Sequence, residues 1–250
     1  MPDERTSALL DHFVTALRTE LAPTAVWAHG SLAGGDYQEG RSDLDLIAVL
    51  DGADSRATRR RLERLHQDLR AEHPLADHLH CGYLDPDHLD DSARSHTIWA
   101  YNELFERPVS PVTRRELHAF GRVFLGAGPV DVLPPVTTRE LNTYVVGDQR
   151  DYWRPRLDTD KLWQQDLWVD LGLLTHARAR VTLEEGRLIT KYEALDALLS
   201  AGAPEELVVD VRARRYGQSV RRDEDWQRER AELTRDFLAS AIDALVARYG

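Results

Sequence analysis

Apolar residues recur at helical spacing near the start of the chain: Leu9, Leu10, Phe13, Leu17 and Leu21 fall on one face. This predicts a helix over Thr6 to Leu21, with Thr6 or Ser7 as its N-cap and Pro23 beyond its end. The period then shortens. Ala25 to His29 reads as a strand, and a Gly-rich stretch runs from Gly30 to Gly40. Leu44 to Leu50 reads as a second strand, closed by Asp51-Gly52. Arg56 to Glu72 is a charged helix, and Leu79 to Leu84 a third strand, closed by Asp85-Pro86. Helices are expected over Arg94 to Glu106 and over Pro111 to Leu125. Gly126-Ala-Gly-Pro129 and Leu133-Pro-Pro135 interrupt the pattern as loop and linker, and only helices are expected from Thr138 onward. One of these helices is expected over Lys161 to Leu183. The fold class expected is an α/β (α+β) domain with a small mixed sheet, residues 1–134, followed by an all-α helical bundle, residues 135–250.

Composition narrows the functional classes. The chain has 250 residues and a formal net charge of −11. That charge argues against a duplex nucleic-acid binder, which must neutralise phosphates with Lys and Arg. It suits a cationic partner better. Cys81 is the only cysteine, which excludes an intrachain disulfide and a cysteine-based zinc site and fits a reducing compartment. The charged start Met1-Pro2-Asp3-Glu4-Arg5 does not read as a signal peptide, and no apolar run is long enough to span a membrane. The expected location is the cytoplasm.

The chemistry concentrates between Gly30 and Asp45. Gly30 and Ser31 follow a strand; glycine lets backbone approach a phosphate, and serine offers a hydroxyl and an N–H. Ser42 precedes Asp43 and Asp45, which sit two apart on the next strand and so project to one side. Two parallel carboxylates repel unless a hard cation lies between them, and Mg²⁺ bridging to a triphosphate is the usual solution. Two such ions can clamp the attacking and leaving oxygens of an in-line displacement. His29, just before Gly30, could reach the phosphates or be structural.

Gly30-Ser31 with Ser42-Asp43-Leu44-Asp45 resembles the signature of the polymerase-β nucleotidyltransferases. More narrowly, the chain resembles the aminoglycoside adenylyltransferases that modify streptomycin and spectinomycin, a likeness covering most of its length. Arg178, Gly186 to Lys191 and Tyr216-Gly217 carry it in the second half. The resemblance implies transfer of AMP from ATP to a hydroxyl of a small cationic acceptor, with release of pyrophosphate, as in antibiotic resistance. It implies two Mg²⁺ ions on Asp43 and Asp45, and triphosphate contacts from Gly30, Ser31 and Ser42. It also implies nucleotide contacts from Arg178, Lys191 and Tyr216 across an interdomain cleft. Lys191 has independent support. Thr190 to Glu193 reads as a capping box, which puts Lys191 in the first turn of a helix. A cation there opposes the helix dipole unless an anion is present.

The family's third carboxylate, on the third strand, is missing. Its place falls on His80, which alternation puts on an open face with His78 and Gly82, opposite Leu79, Cys81 and Tyr83. His80 is one candidate base for the acceptor hydroxyl. Asp77, turned inward by a bulge, is the other, and neither serving is the third option. For the acceptor, Trp163, Asp166 and Asp170 share a helical face, Asp158 and Asp160 precede it, and Trp99 could stack from the first domain. Two other readings stay open. One is a nucleotidyltransferase acting on a protein or RNA, as in toxin–antitoxin systems. The other is a nucleotide-binding module that has lost catalysis.

Overall fold

The computed structural model describes residues 3–219 and 223–250. Met1 and Pro2 of the charged N-terminal stretch lie outside the described residues. The chain divides into two compact units, Met1–Val136 and Thr137–Gly250.

The first unit opens with α1 (Glu4–Leu21), which buries Leu9, Leu10, Phe13 and Leu17. Its N-cap is Asp3, whose carboxylate accepts the Thr6 amide, so the helix starts earlier than expected. Thr6 is instead inside the first turn, with its hydroxyl 3.1 Å from the Tyr37 hydroxyl. Next come β1 (Ala25–Ala28), the short α2 (Gly30–Gly34), β2 (Leu44–Val49), α3 (Arg56–Glu72) and β3 (Leu79–Leu84). Ser55 caps α3 by accepting the Thr58 amide. Every residue of β1 is buried, because the strand is covered on both faces. Val26 and Ala28 pack with the apolar faces of α1 and α3. Ala25 and Trp27 pack with Leu117 and Leu133 on the other side.

Two expected helices are corrected. Arg94 to Glu106 is not helical: it is the hairpin β4 (Ser95–Ala100) and β5 (Glu103–Pro108). The β-branched and aromatic run His96-Thr-Ile-Trp99 favours a strand. Tyr101 and Asn102 both take positive φ, 53° and 65°, the backbone of a two-residue type I′ hairpin turn. The helix expected to Leu125 stops early, as α4 (Pro111–Phe120) under an N-cap from Ser110. After Gly121 the chain becomes β6 (Arg122–Gly126), which pairs with β1, and α5 (Pro129–Val132) follows. A short apolar run such as Val123-Phe-Leu125 fits either period, and the open edge of β1 decides it. The sheet runs β5-β4-β3-β2-β1-β6. β2 and β3 are parallel, with Asp45 opposite His80, and the other pairs are antiparallel.

The second unit is helical throughout its described residues. It contains α6 (Thr138–Gly147), a π-helical turn over Asp148–Trp153, α7 (Arg154–Arg156), α8 (Asp160–Trp163) and α9 (Asp166–Glu185). Then follow α10 (Lys191–Ser200), α11 (Glu205–Arg215) and α12 (Glu224–Tyr249). The helix expected over Lys161 to Leu183 is broken at Gln164 and Gln165. There the Gln164 carbonyl accepts from Arg230 Nη2 at 3.0 Å rather than continuing the helical ladder. The expected class, a mixed-sheet α/β domain followed by helices, is the architecture observed. No helix among the described residues is long and apolar enough to cross a membrane.

Candidate active site

β2 and β3 build the centre of the site in the first unit. Because they are parallel and in register, residues 43 and 45 face 78 and 80. His80 Nε2 lies 3.9 Å from Asp43 Oδ1, and His80 Nδ1 lies 3.8 Å from Asp45 Oδ1. His78 Nδ1 is 3.9 Å from Asp43 Oδ1. The carboxylates remain partly open, with side-chain exposures of 47% for Asp43 and 32% for Asp45, whereas His80 is 12% exposed. Leu44, Leu46 and Ala48 anchor the strand from its buried face. The donor set for a cation is therefore the two adjacent hard carboxylates, with the His80 imidazole beside them. Hard oxygen donors of this kind suit a divalent cation such as Mg²⁺.

Gly30 leaves room for that arrangement. Its φ is +59°, and a Cβ there would sit 2.6 Å from Asp45 Oδ2. The backbone approaches from the same side, since the His29 amide donates to the Asp45 carbonyl at 3.0 Å. The Gly30 amide points to Glu116 Oε2 at 3.3 Å, and His29 Nδ1 lies 3.2 Å from the same oxygen. His29 is thus tied to a buried carboxylate on α4. Glu116 is absent from the sequence-based set. It stands 86 residues from Gly30, and no spacing or motif links the two. Ser31 follows Gly30 in α2, and its carbonyl accepts the Asp36 amide.

Several sequence-based candidates are occupied elsewhere. Ser42 is buried, and its hydroxyl accepts the Gln38 amide at 3.1 Å, so it closes the turn ahead of Asp43. Asp77 lies in a 3₁₀ turn before β3, and no bulge turns it inward. Its carboxylate instead accepts from Arg70 Nε on α3 at 2.7 Å. Trp99 is buried and stacks on His66, with centroids 4.4 Å apart, so it has no open face. Beside His80 stands a ring that the sequence reading did not select. Tyr101 is 73% exposed, with its centroid 5.1 Å from that of His80.

In the second unit, Arg178, Lys191 and Tyr216 gather around the start of α10. Arg178 Nε donates to the Ile189 carbonyl at 3.0 Å. Lys191 is the first residue of α10, and the capping box is complete: Glu193 accepts the Thr190 amide, and Thr190 accepts that of Glu193. These bonds, led by the one from the Thr190 backbone, hold the Glu193 carboxyl below its ordinary range. Tyr216, at the end of α11, lies edge-on to Tyr192, the neighbour of Lys191, with centroids 6.2 Å apart.

The acceptor candidates Trp163, Asp166 and Asp170 are engaged within this unit, although Asp166 and Asp170 stay partly exposed. Trp163 is fully buried, with its indole N–H donating to the Arg156 carbonyl at 2.9 Å. Asp170 accepts from Arg214 Nη2 at 2.5 Å, and Asp166 from Arg230 Nη1 at 2.5 Å. Buried Asp210 joins the two arginines. Burial raises the Asp170 carboxyl although Arg214 pulls it down. These acids close an ion-pair network between α9, α11 and α12.

Residues 10–118 match the family model of the nucleotidyltransferase domain. The matched segment takes in Gly30, Asp43, Asp45 and His80, so the first unit is similar to nucleotidyltransferase domains over the strands that carry the acid pair. In fold, the chain resembles a solved adenyltransferase. A solved structure of the spectinomycin adenyltransferase AAD(9) from Enterococcus faecialis, with ATP and spectinomycin, superposes with a TM-score of 0.73 at 15% identity. The match covers 95% of this chain and 99% of that one. No curated protein matches by sequence.

Proposed function

We propose that the chain moves AMP from ATP to a hydroxyl of a small cationic acceptor of the aminoglycoside type, releasing pyrophosphate. The observation that carries this reading is the Asp43–Asp45 pair, held open beside a glycine that a side chain would fill and flanked by His80. Asp43 and Asp45 would hold two Mg²⁺ ions. When bound, these supply charge neutralisation at the triphosphate and at the leaving oxygens. Gly30 and Ser31 border the phosphates. Arg178, Lys191 and Tyr216 are the nucleotide-contacting set of the second unit, a role supported by their convergence on one helix end.

In the transfer, the acceptor oxygen forms a bond to the α-phosphorus while the bond from that phosphorus to the bridging oxygen breaks. The pyrophosphate leaves with that electron pair. His80 takes the proton of the acceptor hydroxyl on a ring nitrogen. Tyr101 offers the acceptor a flat wall next to that nitrogen.

The test is pyrophosphate release from ATP and Mg²⁺ across an aminoglycoside panel that includes spectinomycin. Release should depend on one or more of these acceptors. Asp43→Asn and Asp45→Asn should each abolish it with the unfolding temperature kept. Full activity in both variants overturns the assignment.

A further inference from the structure

Outside the catalytic centre, α1 and the end of α3 bring three ligand-type side chains together. His12 lies midway along α1, Glu72 is the last residue of α3, and His73 follows it in extended backbone. His12 Nδ1 is 2.9 Å from His73 Nε2 and 3.7 Å from Glu72 Oε2, and all three ligand atoms lie within 4.8 Å of one another. We propose that His12, Glu72 and His73 form a second metal site, for a late first-row divalent ion such as Zn²⁺.

The chemistry of the set supports this. Two imidazole nitrogens at 2.9 Å cannot both present lone pairs unless a proton or a cation lies between them. With bonds of about 2.0–2.1 Å, two donors on one tetrahedral ion are about 3.3 Å apart. The observed 2.9 and 3.7 Å bracket that value, so binding asks for side-chain adjustment only. Two imidazoles and one carboxylate favour zinc, nickel or copper over magnesium, whereas the carboxylate pair at Asp43 and Asp45 favours the hard ion. The two sites therefore differ in metal preference. Three protein ligands leave a fourth position for water.

An ion here would cross-link α1 to α3. The start of α1 also steadies the stretch that leads to Asp43. Arg5 Nη1 lies 3.3 Å from Glu39, and the Thr6 hydroxyl lies 3.1 Å from that of Tyr37. Binding at His12 would thus stiffen the first unit from a point outside the catalytic centre.

The test is a Zn²⁺ titration by calorimetry of the full chain carrying Asp43→Asn and Asp45→Asn, with Mg²⁺ in excess. This background removes the catalytic acids as competing ligands. One Zn²⁺ per chain should be lost, or weakened beyond the roughly 10–100-fold typical of losing an outer-shell partner, on adding His12→Gln or His73→Gln. Zn²⁺ at a hundredfold excess over Kd should raise the unfolding temperature by roughly 5–10 °C in the parent and not in these variants. Glu72→Gln, at an exposed position, replaces either histidine variant that fails to fold. Zinc stoichiometry and affinity unchanged by all these substitutions, or no zinc uptake by the parent, overturns the proposal.

Discussion

Gly30→Ala separates the two roles that a glycine can have at a site, conformational freedom and space. Gly30 has φ +59° and Gly35 has φ +81°, so an alanine at either position is strained. The left-handed conformation costs an L-residue about 1–2 kcal/mol. For a chain of this size that lowers the unfolding temperature by roughly 2–8 °C. The two positions differ in what the new methyl meets. At Gly35 nothing lies within 4 Å. At Gly30 it would be 2.6 Å from Asp45 Oδ2 and 3.3 Å from Cγ. That carboxylate is the free end of a side chain and can swing away, so the added cost in stability is small. To reach ordinary contact it must move by about 1 Å, a displacement that typically costs about 10²-fold in rate. Gly30→Ala should therefore lose about 10²-fold in kcat for pyrophosphate release, and Gly35→Ala should keep the parent rate. Both should show the same small drop in unfolding temperature by scanning calorimetry. If Gly30→Ala turns over within about threefold of Gly35→Ala, Gly30 does not set the position of Asp45, and the reasoning from shape fails.

Other outcomes follow from the buried groups. Arg214→Met removes the buried cation shared by the partly exposed Asp170 and the buried Asp210 and should cost about 3–5 kcal/mol, read as a fall of roughly 6–20 °C in unfolding temperature. A fall under about 2 °C would show that Asp170 has no need of Arg214 and would reopen it as an acceptor group. Burial holds His66 down to about 3 and His176 to about 4, the latter with help from Arg180. Unfolding lets both take protons near their ordinary value of about 6.5, so their contribution is fully present above that pH and is lost as pH falls toward 4 and then 3. Denaturant titrations should lose up to about 1.4 kcal/mol per pH unit per histidine below pH 6, and an unfolding free energy equal at pH 7 and pH 5 would contradict this. Tyr101→Ala should raise KM for the acceptor several-fold with KM for ATP and the unfolding temperature unchanged, and an unchanged acceptor KM removes Tyr101 from recognition.

Local chemistry made much of this protein readable. The strands around the acid pair and the helix Arg56–Glu72 follow from period and punctuation, because their ends carry Ser55, Asp51-Gly52 and Asp85-Pro86. The capping box at Thr190 is equally local. What failed depended on partners distant in sequence. Arg122–Gly126 becomes a strand because β1 has an edge to offer, and the hairpin at Tyr101 turns without glycine. Glu116 reaches His29 and Gly30 only after α4 has docked on the sheet, so no pattern near either end of that contact could reveal it.

The same distinction governs the acids. Asp166 and Asp170 share a helical face, and from sequence alone that face resembles a site for ammonium groups. The partners that change its meaning, Arg214 and Arg230, arrive from helices much later in the chain. An incoming cation would have to displace a guanidinium held by two or three hydrogen bonds, and the displaced arginine would be left in the interior. Those charges are neutralised by folding, so the net charge of −11 does not mark this face as a receptor for a cation. Acceptor recognition is better sought where the chain keeps partly open groups next to the reacting centre. Tyr101 is such a group: beside His80 and the acid pair, it is held outward by a backbone conformation that a bulky residue rarely adopts.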